Sequence, residues 1–255
     1  MKKGSLSQRI RKRLLRMRLQ PIRVFCFHQV SDEYEPLYGG IENWTQSERF
    51  KQNIAALKKK YSFIPLSEAL DHLRQDTFRL KRLAVLTCDD GYQSVMNLLP
   101  WLEYQKVPIT LFISVKYLDG VSYDPWFDSC WEKQSSEERD ELLKKMYFHW
   151  SHLKDSVVCS SNVTLALHGN GHDDVSGMEE NEFGKYVDDC VPYLDNHPRF
   201  IPFYAYTWGR HSAINDRVLR ARGIIPVCCD GKDNYVYSGL IHRVWMDGDR
   251  FESLI

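Results

Sequence analysis

No stretch of the 255 residues comes near the roughly 20 consecutive apolar positions of a membrane-spanning helix. The opening MKKGSLSQRIRKRLLRMRLQ lacks the apolar core and small-residue cleavage site of a secretory signal, so export is not expected. Zinc-type C-x-x-C pairs are missing as well. The seven cysteines (Cys26, Cys88, Cys130, Cys159, Cys190, Cys228 and Cys229) are odd in number, which speaks against a disulfide framework or a thiolate metal site. Several lie in apolar runs, where a free thiol packs as a small hydrophobe. Reduced cysteines and a cytoplasmic location are therefore the expectation. Internal repeats and low-complexity linkers are absent too, which leaves one domain over residues 21–255.

Acidic residues are missing from residues 1–20, which hold eight basic ones. The net charge of zero thus hides 26 basic against 34 acidic residues in the remainder. Ile10, Leu14 and Met17 recur at near-helical spacing among the arginines, a pattern that can rest on anionic lipid at the inner membrane face. A solvated basic tail is the alternative. Nucleic acid is not expected as a partner, because the rest of the chain would repel phosphates.

What the sequence does have is a recurring unit: a short apolar run followed at once by polar residues. IRVFCF (22–27) leads into HQVSDE, LAVLTC (83–88) into DDGYQ, and ITLFISV (109–115) into KYLDG. VTLAL (163–167) leads into HGNGHDD, FIPFYAY (200–206) into TWGR, and GIIPVCC (223–229) into DGKDN. Helix-like stretches at 45–61, 67–75, 94–105 and 215–223 lie between them, with Ser67 and Asn215 suited to N-caps and Gly223 to a stop. Continuous apolar strands alternating with helices predict an α/β fold with a parallel sheet, either a (β/α) barrel or a doubly wound sheet. Ligands then bind where the strands end, which would gather His28, Asp89, Asp90, His168, His172 and Trp208. Residues 121–162, rich in aromatics (Trp126, Phe127, Trp131, Phe148, Trp150), interrupt the rhythm as a lid or a satellite core.

Two features carry chemistry. Asp89 and Asp90 are adjacent carboxylates at a predicted strand end, and HGNGH sets His168 and His172 four residues apart after another. Two imidazoles and one carboxylate make a three-ligand zinc set with a position left for water.

The stretch LTCDDGYQSVMNLLPWLEYQKVPITLFISV resembles the signature of the polysaccharide deacetylases (carbohydrate esterase family 4, the nodulation-factor deacetylase homology domain). The resemblance begins at RVFCFHQVSDE, continues through the His-x-x-x-His element and FYAYTWGR, and reaches VWMDGDRF. It implies a distorted (β/α) barrel that hydrolyses an N-acyl, usually N-acetyl, group on a sugar with a divalent metal, most often zinc. Asp89 would be the general base; Asp90, His168 and His172 would hold the metal. Trp208, Tyr206 and His28 would line the substrate and oxyanion side of the pocket, the oxyanion meeting a backbone N–H.

The sequence departs from the family pattern at four places. Cys88 replaces a Phe, Gly169 a Ser or Thr whose hydroxyl braces the motif, and Thr207-Trp208 a Pro-Tyr. The family's late Leu-x-x-His, source of the general acid, has no clean match; His242 is the nearest and His211 the second. Asp173 and Asp174 are placed to support the imidazoles or to cap a helix, and Asp230, Asp233 and Asn234 to meet substrate or solvent. With no export signal, the expected substrate is a lipid-linked or nucleotide-linked N-acyl sugar of surface polysaccharide or lipopolysaccharide synthesis. The alternatives are a glycan-binding or assembly module with weakened catalysis, and an amidase on a non-sugar amide.

Overall fold

The computed structural model describes residues 20–34, 40–75, 81–119, 145–156 and 158–254, with isolated positions between 135 and 141. The basic arm 1–19 and Trp126, Phe127, Cys130 and Trp131 of the insertion lie outside the described residues.

The strands are β1 (Ile22–Phe27), β2 (Gln29–Ser31), β3 (Trp44–Gln46), β4 (Ser62–Phe63), β5 (Leu83–Cys88) and β6 (Ile109–Ile113). They continue with β7 (Val163–Leu167), β8 (Phe200–Ala205), β9 (Ile225–Cys228), β10 (Ile241–His242) and β11 (Val244–Trp245). Helices α1 (Ser47–Lys58), α2 (Leu66–Arg74), α3 (Leu99–Tyr104), α4 (Trp150–Leu153), α5 (Glu180–Cys190) and α6 (Ala213–Ala221) alternate with them. The main sheet runs β10-β9-β8-β7-β6-β5-β1-β11, parallel throughout, with β4 beside the start of β5.

The two ends of that order are consecutive in sequence. The segment 241–245 pairs with β9 through Ile241–His242 and with β1 through Val244–Trp245, so one extended stretch closes the barrel with Arg243 at its midpoint. Asn234 reinforces the seam: its backbone exchanges hydrogen bonds with Ile22 at 2.8 and 3.2 Å, and its side-chain amide donates to the carbonyls of Ile22 and His242. It is a closing residue of the barrel. Asp233 is paired with Arg23 at 2.8 Å.

Strand alternation sorts the core. Ile22, Val24, Val85, Phe112, Ala166 and Val227 cluster with Leu66, Ala69, Leu70 and Leu73 of α2. Phe25, Phe27, Leu86, Leu111, Leu165 and Leu167 instead join residues of the outer helices, such as Leu57, Leu102, Val187 and Leu219. Two caps differ from the sequence expectation. Pro65, not Ser67, precedes α2. Ser212 caps α6 with Asn215 as the reciprocal partner in the box, because both short side chains can serve the same free N–H groups. Gly223 follows α6 with φ 72°, as a helix stop requires.

Candidate active site

Each strand that precedes a polar run delivers it to the same end of the barrel. A cavity of about 180 Å³ is lined there by His28 after β1, Asp89 and Asp90 after β5, His168 and His172 after β7, Tyr206 and Trp208 after β8, and Cys229 after β9. Arg243 and Trp245 of the closing segment complete it.

Asp90 takes φ 69° and Gly91 φ 79°, a left-handed turn that Asp tolerates and Gly accommodates freely. This turn separates the two carboxylates. Asp89, buried, accepts two parallel hydrogen bonds from Arg243, Nη1 to Oδ1 at 2.6 Å and Nη2 to Oδ2 at 2.7 Å. Burial pushes the Asp89 carboxyl up, but the Arg243 and His168 charges outweigh it and hold it below the ordinary range. Arg243 itself has a fully buried side chain, rests 5.0 Å from the Phe112 ring and also donates to Thr87 Oγ1.

Asp90 faces the other way. Its Oδ1 is buried without a hydrogen-bond donor among the described residues, with Nε2 of His168 at 3.1 Å and Nε2 of His172 at 3.5 Å. A carbonyl cannot donate, so the 2.9 Å contact between His168 Nδ1 and the Ala205 oxygen places the imidazole proton on Nδ1. Nε2 then presents a lone pair to a carboxylate oxygen, and the two repel unless a proton or a cation lies between them. Ligand atoms of Asp90, His168 and His172 all fall within 4.8 Å of one another. The donor set fits a divalent cation such as zinc, and the carbonyl behind His168 fixes the tautomer a metal ligand needs. Burial raises Asp90, the two imidazoles lower it, and the net shift is downward, towards the carboxylate.

His28 lies across the cavity. Its backbone N–H and Nδ1 meet Asp247 at 3.1 and 2.7 Å, and Trp245 Nε1 donates to the same carboxylate. Burial pulls the His28 imidazole down, but Asp247 prevails and lifts it to about 9. Burial pushes Asp247 up despite these three donors.

The glycine of HGNGH has its own account. Gly169 takes φ 94°, and a Cβ there would fall 2.8 Å from Tyr186 Oη and 3.0 Å from Tyr204 Oη. The brace expected from a Ser or Thr comes instead from Tyr186 on α5, which accepts the Asn170 N–H at 2.7 Å and donates to Asp173 Oδ2 at 2.8 Å. Asp173 thus supports the loop through Tyr186, while Asp174 pairs with Arg210 at 2.8 Å. Trp208, half exposed and at φ 50°, sets its ring 4.7 Å from His172 at the cavity mouth. Tyr206 commits its hydroxyl to Asp216 at 2.9 Å and stacks on His211.

The two histidines proposed as acids stand elsewhere. His242 does not line the cavity; its Nδ1 meets Asp230 at 3.0 Å and Cys228 Sγ at 3.6 Å. His211 is held by Asp216 at 3.1 Å beneath Tyr206. The end of the insertion packs as core rather than spanning the mouth: Tyr147 stacks between Tyr92 and Tyr117, and the Phe148 N–H donates to the Gly91 carbonyl. Arg243 and Asp247 carried no role in the sequence reading. A lone arginine inside the apolar stretch LIHRVWM was the available signal, because a buried charge requires a partner.

A larger cavity of about 450 Å³ lies alongside, lined by Trp44, Arg49, Asp247 and Arg250 among others. It shares Asp247 with the His28 pair but, among the described residues, holds no converging ligand set.

No family model matches the chain, and no curated protein matches it in sequence. Solved structures do. IcaB from Ammonifex degensii superposes with a TM-score of 0.72 at 19% identity, over 92% of this chain and 95% of that one. The Streptococcus pyogenes deacetylase PplD, in complex with acetate, gives 0.66 at 14%, over 92% and 97%. The de-N-acetylase from Aggregatibacter actinomycetemcomitans gives 0.67 at 13%, over 92% and 100%. Across nearly its whole length, the chain has the (β/α) barrel fold of the polysaccharide deacetylases.

Proposed function

We propose that the protein is a metal-dependent carbohydrate N-deacetylase of the polysaccharide deacetylase family. The observation that carries this reading is the buried Asp90 Oδ1, faced by two imidazole nitrogens on a cavity that also holds an ionised carboxylate and a raised histidine.

Asp90, His168 and His172 hold the cation. When bound, a divalent ion acidifies a water and polarises the acyl oxygen. Asp89 takes the proton of the attacking water, kept ionised for this task by Arg243. His28, protonated on the strength of Asp247, gives a proton to the departing amine, and acetate is released. The Trp208 backbone N–H is the donor for the developing oxyanion, and its indole offers a face for the sugar ring. His28 therefore takes the place of His242 as the proposed acid, because His28 lines the cavity with Asp89 and His242 does not. The substrate is an N-acetylated sugar of surface polysaccharide synthesis, lipid-linked or nucleotide-linked, with residues 1–20 touching the inner leaflet.

The test is release of acetate from a panel of N-acetyl sugars in free, oligomeric, nucleotide-linked and lipid-linked form, before and after chelation and zinc return. Acetate release that chelator abolishes and zinc restores is the expected result. A protein that neither binds zinc nor releases acid from any member of the panel overturns the reading.

A further inference from the structure

The proposed reaction leaves His242 and Asp230 without a task, and His242 joins that carboxylate to a buried thiol. Cys228 ends β9 and His242 ends β10, and the two are partners in the parallel ladder, so their side chains leave the same face of the sheet. That face is the outer one. Cys228 packs with the cluster that includes the outer helices, and neither residue lines the catalytic cavity, whereas Cys229 and Arg243, one position on, both do. Asp230 follows in the turn after β9.

Three ligand atoms converge there. His242 Nδ1 is 3.6 Å from Cys228 Sγ and 3.0 Å from both Asp230 oxygens, and a ligand atom from each residue lies within 4.8 Å of the other two. A single proton on Nδ1 can serve the carboxylate or the sulfur, not both. A dication serves all three. Zinc–nitrogen and zinc–sulfur bonds of about 2.05 and 2.3 Å at a tetrahedral angle set N and S about 3.5 Å apart, close to the 3.6 Å observed. The imidazole stands on a fixed base, because the His242 N–H donates to Asn234 Oδ1 and its carbonyl accepts from Asn234 Nδ2.

Lys232 Nζ also holds Asp230, on Oδ2. The lysine is well exposed, and a surface pair of this kind contributes little, so an incoming cation can displace it. Among the described residues, Oδ1 meets only the Lys232 backbone N–H, at 3.4 Å, besides His242, and keeps a lone pair for a ligand bond. Burial pushes the Cys228 thiol up to about 12, so an ion has to displace its proton, which selects a thiophilic metal over magnesium or calcium.

We infer that Cys228, Asp230 and His242 form a second cation site, on the outside of the barrel seam, that takes one thiophilic dication of the zinc and cadmium class with water in the fourth position. Binding releases the Cys228 thiol proton and the Nδ1 proton, and leaves the imidazole neutral with its proton on Nε2. The ion joins β9, the turn after it and β10 around Arg243, whose N–H donates to the Cys228 carbonyl and whose carbonyl accepts the Gly231 N–H. It thus clamps the segment that closes the barrel, and the site stands independently of the deacetylase reading.

The experiment titrates the full-length protein with cadmium and follows the ultraviolet thiolate-to-cadmium charge-transfer band, together with hydrogen exchange at the Arg243 and Gly231 amides. The wild type is expected to show the band, and both amides to exchange about 10-fold or more slowly once cadmium well exceeds its dissociation constant. Cys228→Ala should lose the band and the slowing. Cys130→Ser, Cys159→Ser and Cys229→Ser, single variants at other thiols, should keep both. Lys232→Gln should bind cadmium about 2–5-fold more tightly, since the competing ammonium is gone, and this exposed position answers the question even where Cys228→Ala does not fold. A wild type without the band, a band as strong in Cys228→Ala as in the wild type, or weaker binding in Lys232→Gln overturns the inference.

Discussion

Arg243 and Asp89 form a fully buried bidentate pair at the point where the barrel closes, with Nη1 and Nη2 on the two carboxylate oxygens at 2.6 and 2.7 Å. The residue that seals the barrel is thus also the one that sets the charge of the proposed base. Removing one partner of such a pair strands the other in a low-dielectric interior. Arg243→Met is expected to cost about 3–5 kcal/mol of stability, read by urea unfolding at neutral pH. The pH dependence adds a check. Asp89 is depressed in the fold, so its stabilisation is present above the unfolded carboxyl value, about 3.9, and is lost as pH falls through the lower folded value. Arg243→Met should flatten that acid limb, and an unchanged limb would show that the pair does not set the Asp89 charge.

His28 and Asp247 give the opposite sign. The His28 value rises from 6.5 to about 9, so the pair's stabilisation is complete below 6.5 and disappears as pH climbs through about 9. In metal-free protein, Asp247→Asn should cost about 2–3 kcal/mol at pH 6 and progressively less towards pH 10. In the enzyme, His28→Gln should lower kcat by about 10²–10⁴-fold. Asp247→Asn should shift the alkaline limb of kcat to lower pH while zinc content stays unchanged. An alkaline limb that stays in place removes His28 from the role of acid.

Much of this was legible in the sequence for a physical reason. A buried parallel strand is a continuous apolar run, and a functional loop follows it at once, so the strands from Ile22 to Cys228 and the positions of Asp89, Asp90, His168 and His172 could all be placed. The closing segment could not. Ile241–His242 and Val244–Trp245 are two-residue strands with no periodicity of their own, and only the closed barrel makes Arg243 interior. The proposed acid was hidden by the same gap. His28 acquires its raised value from Asp247, 219 residues away, and no local pattern reports such a pairing. The Ser212 cap differs from the expected Asn215 by three residues because a capping box lets either end of the motif look like its start.

The division of labour between the adjacent aspartates is open to a direct test. Asp89→Asn should keep zinc, because its oxygens are paired with Arg243 at 2.6 and 2.7 Å and stand farther from His168 Nε2, at 4.0 Å, than Asp90 Oδ1 does at 3.1 Å, and should lose hydrolysis. His168→Ala should lose zinc, since Nε2 of His168 is the nitrogen nearer to Asp90. Elemental analysis after exhaustive dialysis, alongside acetate release, reads both. Equal zinc content in the two variants would show that the roles of Asp89 and Asp90 are not separated as proposed.

Gly169 lies in the HGNGH loop that Tyr186 ties to α5, and its replacement separates two effects. Its φ of 94° is strained for any other residue, and a Cβ would press on Tyr186 Oη at 2.8 Å. Gly169→Ala should therefore cost about 1–3 kcal/mol through backbone strain alone, with further loss from displacing the tyrosine. Tyr186→Phe keeps the ring but removes the hydroxyl that joins the Asn170 N–H to Asp173. It should cost about 1–3 kcal/mol, because the 2.7 Å acceptor of a half-buried N–H is gone. In the double variant the steric contact with Oη no longer exists, so the combined loss should fall short of the sum of the single losses. Chemical denaturation of the four proteins measures the coupling, and strict additivity would mean that Tyr186 Oη does not crowd position 169.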